Sequence, residues 1–457
     1  VIGAPARAQG FDRRLIAPMI LGSVLNPVNS SMLAVALVPI GAAFGAPPSQ
    51  TAWLVSALYL ATAVGQPVVG RLVDTYGPRP LYLIGTGLVG IAGVLGALAP
   101  SLPVLVAARV LLGFGTCAAY PASMHLIRGE SERTGQDSPS AVLAALAVAN
   151  QTISVIGPTL GGLLIGLGGW HTIFTINVPL SLACLVLGAR RLPRLAARRR
   201  TVTRVDLIGM VLFAGMLTAL LLFLMSPQAG HWYLPVLALA AGAGLTWREL
   251  RVAEPFIDLR VLGGNLPLLA TFLRQVLAYV TAYAFLYGFT QWLEQGRGLS
   301  ASVAGLVLLP MSLTAVAITA VTGRHEQVWG KLLVGGLTQL AGCAALLLVD
   351  QASPIWLLCG LALLIGIPQG LNGLANQNTL YHQADPARMG SSAGLLRTCT
   401  YLGAMIASAA SGAFFSRGAD TPGLHELGLF TLTVAALFLA VTLLDRSVRR
   451  IGSAQHH

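Results

Sequence analysis

Residues 23–40 read SVLNPVNSSMLAVALVPI, with Asn26, Asn29 and Ser30 at i, i+3 and i+4 inside an apolar run that begins at Leu15. On a helix this spacing sets two amides and a hydroxyl on one face. Pro27, standing among them, removes a backbone donor and loosens the ladder. Such a row can hold a ligand by neutral hydrogen bonds, but it has no proton to titrate and no nucleophile. Further amides recur in later apolar runs: Asn150 and Gln151, then Gln369 and Asn372 ahead of Asn376, Gln377 and Asn378. Amides in such places also act as interhelical bonds worth about 0.6 kcal/mol each. Tyr279, Tyr283 and Tyr287 form an i, i+4, i+8 stripe suited to an amphipathic or aromatic ligand. Tyrosines that bridge two helices would give the same pattern.

Charge inside the apolar runs is carried by arginine. A charge such as Arg109 in a spanning helix costs roughly 2.5–3.5 kcal/mol and must turn inward to find acceptors. Arg274 and Arg397 have no obvious carboxylate partner in the sequence, so both are candidates to face a cavity that accepts anionic groups; for Arg397, snorkelling is the competing reading. Every acid falls at the end of an apolar run or in a connection, Asp206, Glu249 and Asp445 among them. His125 and His382 lie late in their runs, where they could titrate near neutrality. The cysteines Cys117, Cys184, Cys343, Cys359 and Cys399 are scattered, with no CxxC pair, so neither a metal site nor a disulfide framework is expected. No GxxxxGK[ST] pattern is present for ATP, no cofactor is implied, and no polar stretch carries a catalytic constellation.

What positions these groups follows from composition. The chain has 457 residues, 55% hydrophobic and only 10% charged, against about 25% charged in soluble domains. Its outer face must therefore be lipid. Spans of about 20 residues are expected at 15–41, 51–72, 81–99, 103–127, 140–167, 170–189, 206–225, 232–248, 265–293, 302–322, 331–349, 354–380, 390–415 and 424–444. The net charge of +12 would suggest nucleic acid in a soluble protein. Here the cations gather on alternate connections, from Arg71 and Arg79 through the 190–200 run and Arg204 to Arg446, Arg449 and Arg450; the opposite connections offer Arg297 and Arg417. By the positive-inside rule both termini are cytoplasmic in a multi-pass plasma (inner) membrane protein, and no nucleic acid is expected.

GRLVDTYGPR (70–79) and GRHEQVWGK (323–331) share a Gly–x6–Gly spacing at corresponding inner ends. Setting aside the two central spans leaves two parallel bundles of about six helices, a transporter plan. The expected division is a first bundle at 1–192, linkers and two inserted helices at 193–263, a second bundle at 264–446, and a tail at 447–457.

The first of these stretches resembles the characteristic loop of the major facilitator superfamily: Gly70, Asp74, Gly77 and Arg79 match, while Thr75 and Pro78 depart. Arg109, followed by Gly113 and Gly115, matches that family's fourth-helix arginine. IGPTLGGLL, with Gly157, Pro158, Gly161 and Gly162, carries the GPxxGG core of the antiporter motif, although Ile153 replaces an upstream Gly. WRELRVAEPFIDLRVL (247–262) is similar to the middle of the fourteen-helix drug:proton antiporters. The resemblance implies an all-α major facilitator fold of about fourteen transmembrane helices and a monomeric secondary exporter of lipophilic or amphipathic organic molecules. It implies that Asp74 latches the start of a helix in the other half and pairs with Arg79 or Arg128. The latch would be weaker in the second repeat, where Gln327 stands for the acid. It also implies that Arg109 tunes proton transfer, with a clamp on neighbouring carbonyls as the alternative, and that GPxxGG seals one half against the other. The family's first-helix acid is absent, its place taken by Ser30 or a near neighbour, so protons as partners stay open. The rival reading is a lipid or glycolipid translocator without proton coupling.

Overall fold

The first expected span is broken. In the computed structural model α1 (Ile16–Ala34) stops at Val35–Ala36, and α2 (Leu37–Phe44) resumes and ends on Gly45, whose φ of +60° closes the helix in the left-handed region. The structure describes residues 11–46, 48–134, 140–193, 206–225, 228–253, 255–299, 301–325, 327–415 and 418–451. The arginines of 194–204, Asp137, Glu254, Glu326 and Arg417, which entered the sequence reading, lie outside the described residues.

Next come α3 (Pro48–Tyr76), α4 (Pro78–Ala97), α5 (Leu102–Thr116) and α6 (Ala119–Thr134), the last two dividing the expected 103–127 span at Cys117–Ala118. They are followed by α7 (Ser140–Gly168), the short α8 (Thr172–Thr175), α9 (Asn177–Arg191), α10 (Leu207–Met225), α11 (Tyr233–Glu249) and α12 (Leu259–Gly264). α13 (Leu266–Ala284) widens into π-helical turns over Phe285–Phe289 and Trp292–Gly296. The last are α14 (Ala301–Thr322), α15 (Val328–Leu346), α16 (Ile355–Gln383), α17 (Met389–Phe414) and α18 (Thr421–Leu444). Among the described residues there is no strand. Ten segments among the described residues are long and apolar enough to cross a membrane. Their outward faces carry bare leucines: Leu98 is 76% exposed, and Leu348 and Leu444 are each 81% exposed. Hydrocarbon rather than water is the solvent for such a face.

The chain forms two compact units, Val1–Thr203 with Ala384–Gly394, and Arg204–Gln383 with Leu395–His457. In the first, α1 lies along α7, α3 along α5, and α4 between α5 and α9. The α4–α5 contact is backbone on backbone: a Cβ on Gly85 would come within 2.6 Å of the Gly115 carbonyl oxygen. In the second unit α16 packs on α14 and α15, α18 on α13 and α15, and α10 on α11. Its core is aromatic, Phe285 stacking on Phe289 at 4.6 Å and Phe289 on Trp292 at 5.7 Å between ring centres.

Candidate functional site

Asp74 stands near the end of α3, one turn before the reversal at Gly77. That glycine has a φ of +92° and hands over to α4 through Pro78 at its first turn. The Asp74 carboxylate is buried and accepts the backbone N–H of Gly390 at 2.7 Å, the N–H of Ser391 at 2.8 Å and the Ser391 hydroxyl at 2.5 Å. These are orphan donors of the first turn of α17, where the helix dipole also favours an anion. The first turn of α17 belongs to the same unit as α3. Gly70 makes the approach possible, since a Cβ there would fall 2.3 Å from the Gly390 carbonyl oxygen. The side-chain partner is not the arginine expected from the motif. Arg79 donates to the Ala189 carbonyl at 2.6 Å and Arg128 pairs with Glu132 at 3.2 Å, while His125 Nδ1 lies 3.4 Å from Asp74.

In the second copy, Gln327 caps α15 without a side-chain bond, and a Cβ on Gly330 would meet open space. The two repeats should therefore respond differently to the same change. Gly70→Ala is expected to abolish transport. Gly330→Ala should leave transport intact and raise stability by up to about 1 kcal/mol through helix propensity. Parallel flux and thermal-unfolding measurements check both, and equal tolerance at the two positions would refute the asymmetry.

The amide row of α1 is divided between two tasks. Asn26 Nδ2 donates to Thr116 Oγ1 at 3.0 Å and remains partly exposed; the Ser30 hydroxyl donates back to the Asn26 carbonyl at 3.0 Å. Asn29, expected to line a cavity, is instead buried at 3% exposure and joined in a reciprocal pair to Asn177, at 2.6 and 2.8 Å. Its hydrogen-bonding capacity is spent tying α1 to α9. Asn150 bonds Leu146 and Ser23 within the same unit, and Gln151 is half-buried beside it. Arg109 is 1% exposed and donates to the carbonyls of Leu54 at 3.0 Å and Asn29 at 3.3 Å, which is the geometry of a clamp across three helices. The GPxxGG glycines also act within one unit. A Cβ on Gly157 would collide with Ser31 Oγ and one on Gly161 with the Met32 backbone, while Gly162 faces open space. With Pro158 inside α7, they press that helix onto α1.

The second unit holds a narrow cleft between α13, α15 and α16, with about 20 Å³ of free space, room for a water molecule. Its polar lining is Tyr279, Thr281, Gln339, Gln369 and Asn372, set among Ala278, Ile365 and Pro368. Asn372 donates to Gln339 at 2.8 Å and Gln339 to Thr281 at 2.9 Å. Asn372 Oδ1 and Gln369 Oε1 are buried acceptors with no partner. The tyrosine stripe continues from this cleft, with ring centres 5.9 Å apart from Tyr279 to Tyr283 and 5.4 Å from Tyr283 to Tyr287.

Arg274 requires a correction. Its side chain is wholly buried and pairs with Asp445 at 2.7 Å, so it is not a free cation awaiting an anionic group. Thr271 and Asn376 take its remaining donors, and Asn376 leads on through Gln275 to Thr400. Sequence reasoning passed over Gln339, a lone amide in an apolar helix, and read Asp445 as one more acid beyond an apolar run.

A family model described as Major Facilitator Superfamily matches residues 19–408, which include the Gly77 loop, Arg109 and both helical units' cores. The chain belongs to the major facilitator superfamily. It is 33% identical over 92% of its length to the uncharacterized MFS-type transporter YwoD of Bacillus subtilis, covering 94% of that protein. It is 27% identical to the multidrug efflux pump LfrA of Mycolicibacterium smegmatis, over 92% of this chain and 85% of the pump. A solved structure of the human organic anion transporter MFSD10 superposes with a TM-score of 0.68 at 18% identity, over 93% of this chain and all of that one, a likeness of fold alone. As a member of the superfamily the chain is a membrane-spanning, all-helical transporter.

Proposed function

We propose that this major facilitator protein exports lipophilic or amphipathic organic molecules across the plasma membrane by alternating access, as a monomer of about fourteen spans with both termini cytoplasmic. The observation that carries the reading is the cleft of α13, α15 and α16, where amides, among them the unpartnered buried acceptor Gln369 Oε1, stand between apolar residues beside a stripe of tyrosines. A buried acceptor without a partner is costly. A cargo that brings an N–H or O–H donor and an apolar body meets both demands. The cleft is too tight for such a molecule in the present conformation, so cargo must enter when these helices part. Similarity to a multidrug efflux pump supports the same class. Gln369 and Asn372 contact cargo in this reading, with Tyr279 and Tyr283 as its aromatic wall. Asn26, Ser30, Asn150 and Gln151 are candidates to line the corresponding face of the first unit, while Gly70, Asp74 and Gly77 gate.

The test is reconstitution in liposomes containing a pH-sensitive dye, under an inward-acid gradient, with cationic dyes and short-chain fluorescent lipids supplied separately. Cargo movement with proton release supports a coupled exporter. Movement of lipid without proton flux would replace it by an uncoupled lipid translocator. In either case Asn372→Leu with Gln369→Leu is expected to slow cargo movement about tenfold, the worth of one or two hydrogen bonds; an unchanged rate would remove the cleft from the transport path.

A further inference from the structure

Two acids outside the candidate transport site share one small space. Asp206 precedes the first turn of α10 and Glu249 is the last residue of α11, so the hairpin brings them to the same end. Asp206 is 6% exposed and Glu249 0%. Asp206 uses one oxygen, Oδ1, for the Gly209 N–H at 2.9 Å and for Arg248 at 2.8 Å. Glu249 uses Oε2 for the Ile257 N–H at 3.1 Å. The other oxygen of each, Asp206 Oδ2 and Glu249 Oε1, is buried with no hydrogen-bond partner. Both point at Gly209. They lie 2.5 and 2.8 Å from the place a Cβ on that residue would take. Two buried, unpartnered carboxylate oxygens aimed into one space cannot both carry charge at tolerable cost.

We propose that Asp206 and Glu249 hold one proton between them, with Glu249 as the protonated partner, and that this proton ties the start of α10 to the end of α11. The neighbours fit that assignment. Arg248 is the cation on Asp206, and together with the Gly209 N–H it outweighs burial and keeps that carboxyl below its usual range. Glu249 has no cation of its own. Burial first, and then the Asp206 and Asp258 charges, raise its carboxyl to about 7, against the pull of the Ile257 and Phe256 N–H groups. Of the other charged groups nearby, Arg251 lies over the Trp247 ring and Arg260 donates to the Leu250 carbonyl. The proton therefore has a resident site on the hairpin, separate from the cleft and from Asp74. Because the folded chain holds this proton more tightly than the unfolded one, its stabilisation is full below the ordinary carboxyl value of 4.5 and is lost progressively as the pH rises from there through about 7.

The experiment is an infrared and thermal-unfolding titration of the detergent-solubilised full chain between about pH 5.5 and about pH 8.5. Wild type is expected to lose thermal stability as the pH rises towards about 7, where the loss levels off, and to lose a protonated-carboxyl band as the pH passes through about 7. Glu249→Gln, which imitates the protonated acid, should show neither change near pH 7 and should match the acid form of wild type throughout. Asp206→Asn removes the neighbouring charge and should move the wild-type midpoint to lower pH. The proposal is overturned if the band does not titrate in wild type, or if it persists in Glu249→Gln. It is equally overturned if replacing choline by sodium at constant ionic strength stabilises only the ionised protein, since the pair would then be a cation site. Should Glu249→Gln fail to fold, the wild-type band and the direction of the Asp206→Asn shift decide alone.

Discussion

Asp74→Asn is expected to lower transport by about 30- to 150-fold, the population change produced by losing about 2–3 kcal/mol from one conformation. The carboxylate accepts three bonds from the start of α17, two from backbone N–H groups and one from a hydroxyl. Bonds to a charged acceptor are roughly twice as strong as neutral ones. Asparagine offers a single oxygen, so its NH₂ group would face an N–H or a hydroxyl that now needs another acceptor. The charge that answers the helix dipole disappears as well. Because α17 continues from this first turn into the second unit, letting go of α3 is a step that alternating access can use. The variant should still fold, since Gly70 and Gly390 keep their close contact. Proteoliposome flux measured beside thermal unfolding separates the two effects. Wild-type flux in Asp74→Asn would mean that the bonds are structural and take no part in the cycle.

The sequence made some of this legible because the signals are local. Each expected span contains helix, and the Gly–x6–Gly spacing located both the turn at Gly77 and the weaker copy at Gly330. Asp74 was readable as an acceptor for a helix start through the resemblance of residues 70–79 to the superfamily's loop. Partners far along the chain were not readable. Asn29 meets Asn177 across 148 residues and Arg274 meets Asp445 across 171. In each case one helix displays a lone polar group whose face, but not whose partner, follows from periodicity. The break at Cys117–Ala118 has a local cause that reading spans by length alone passes over: Pro121 lacks the N–H that would bond the Cys117 carbonyl, and its ring crowds that carbonyl. Asp206 and Glu249 read as ordinary connection acids. Only the folded hairpin, closing over a glycine at 209, makes them buried.

The Arg274–Asp445 pair gives the largest stability effect expected anywhere in the second unit. Asp445→Ala should destabilise it by about 3–5 kcal/mol, because it leaves a wholly buried guanidinium without a counter-charge. Thr271 and Asn376 would remain to Arg274, but neither carries charge. Arg274→Met should cost less. Asp445 then keeps the Ser447 N–H at 3.0 Å and the Ser447 hydroxyl at 2.6 Å. The double change, Arg274→Met with Asp445→Leu, should recover most of the loss, since exchanging a buried pair for apolar side chains of similar volume is often neutral. Thermal unfolding of the three variants in one detergent gives the order directly. Equal loss in both single variants would mean that desolvation of the two ions, rather than the isolation of the arginine, sets the cost. If the double variant regains stability but not transport, the ion pair does more than hold α13 to the end of α18. The polar chain from Arg274 through Asn376 and Gln275 to Thr400 would then be the route by which it reaches the transport cycle.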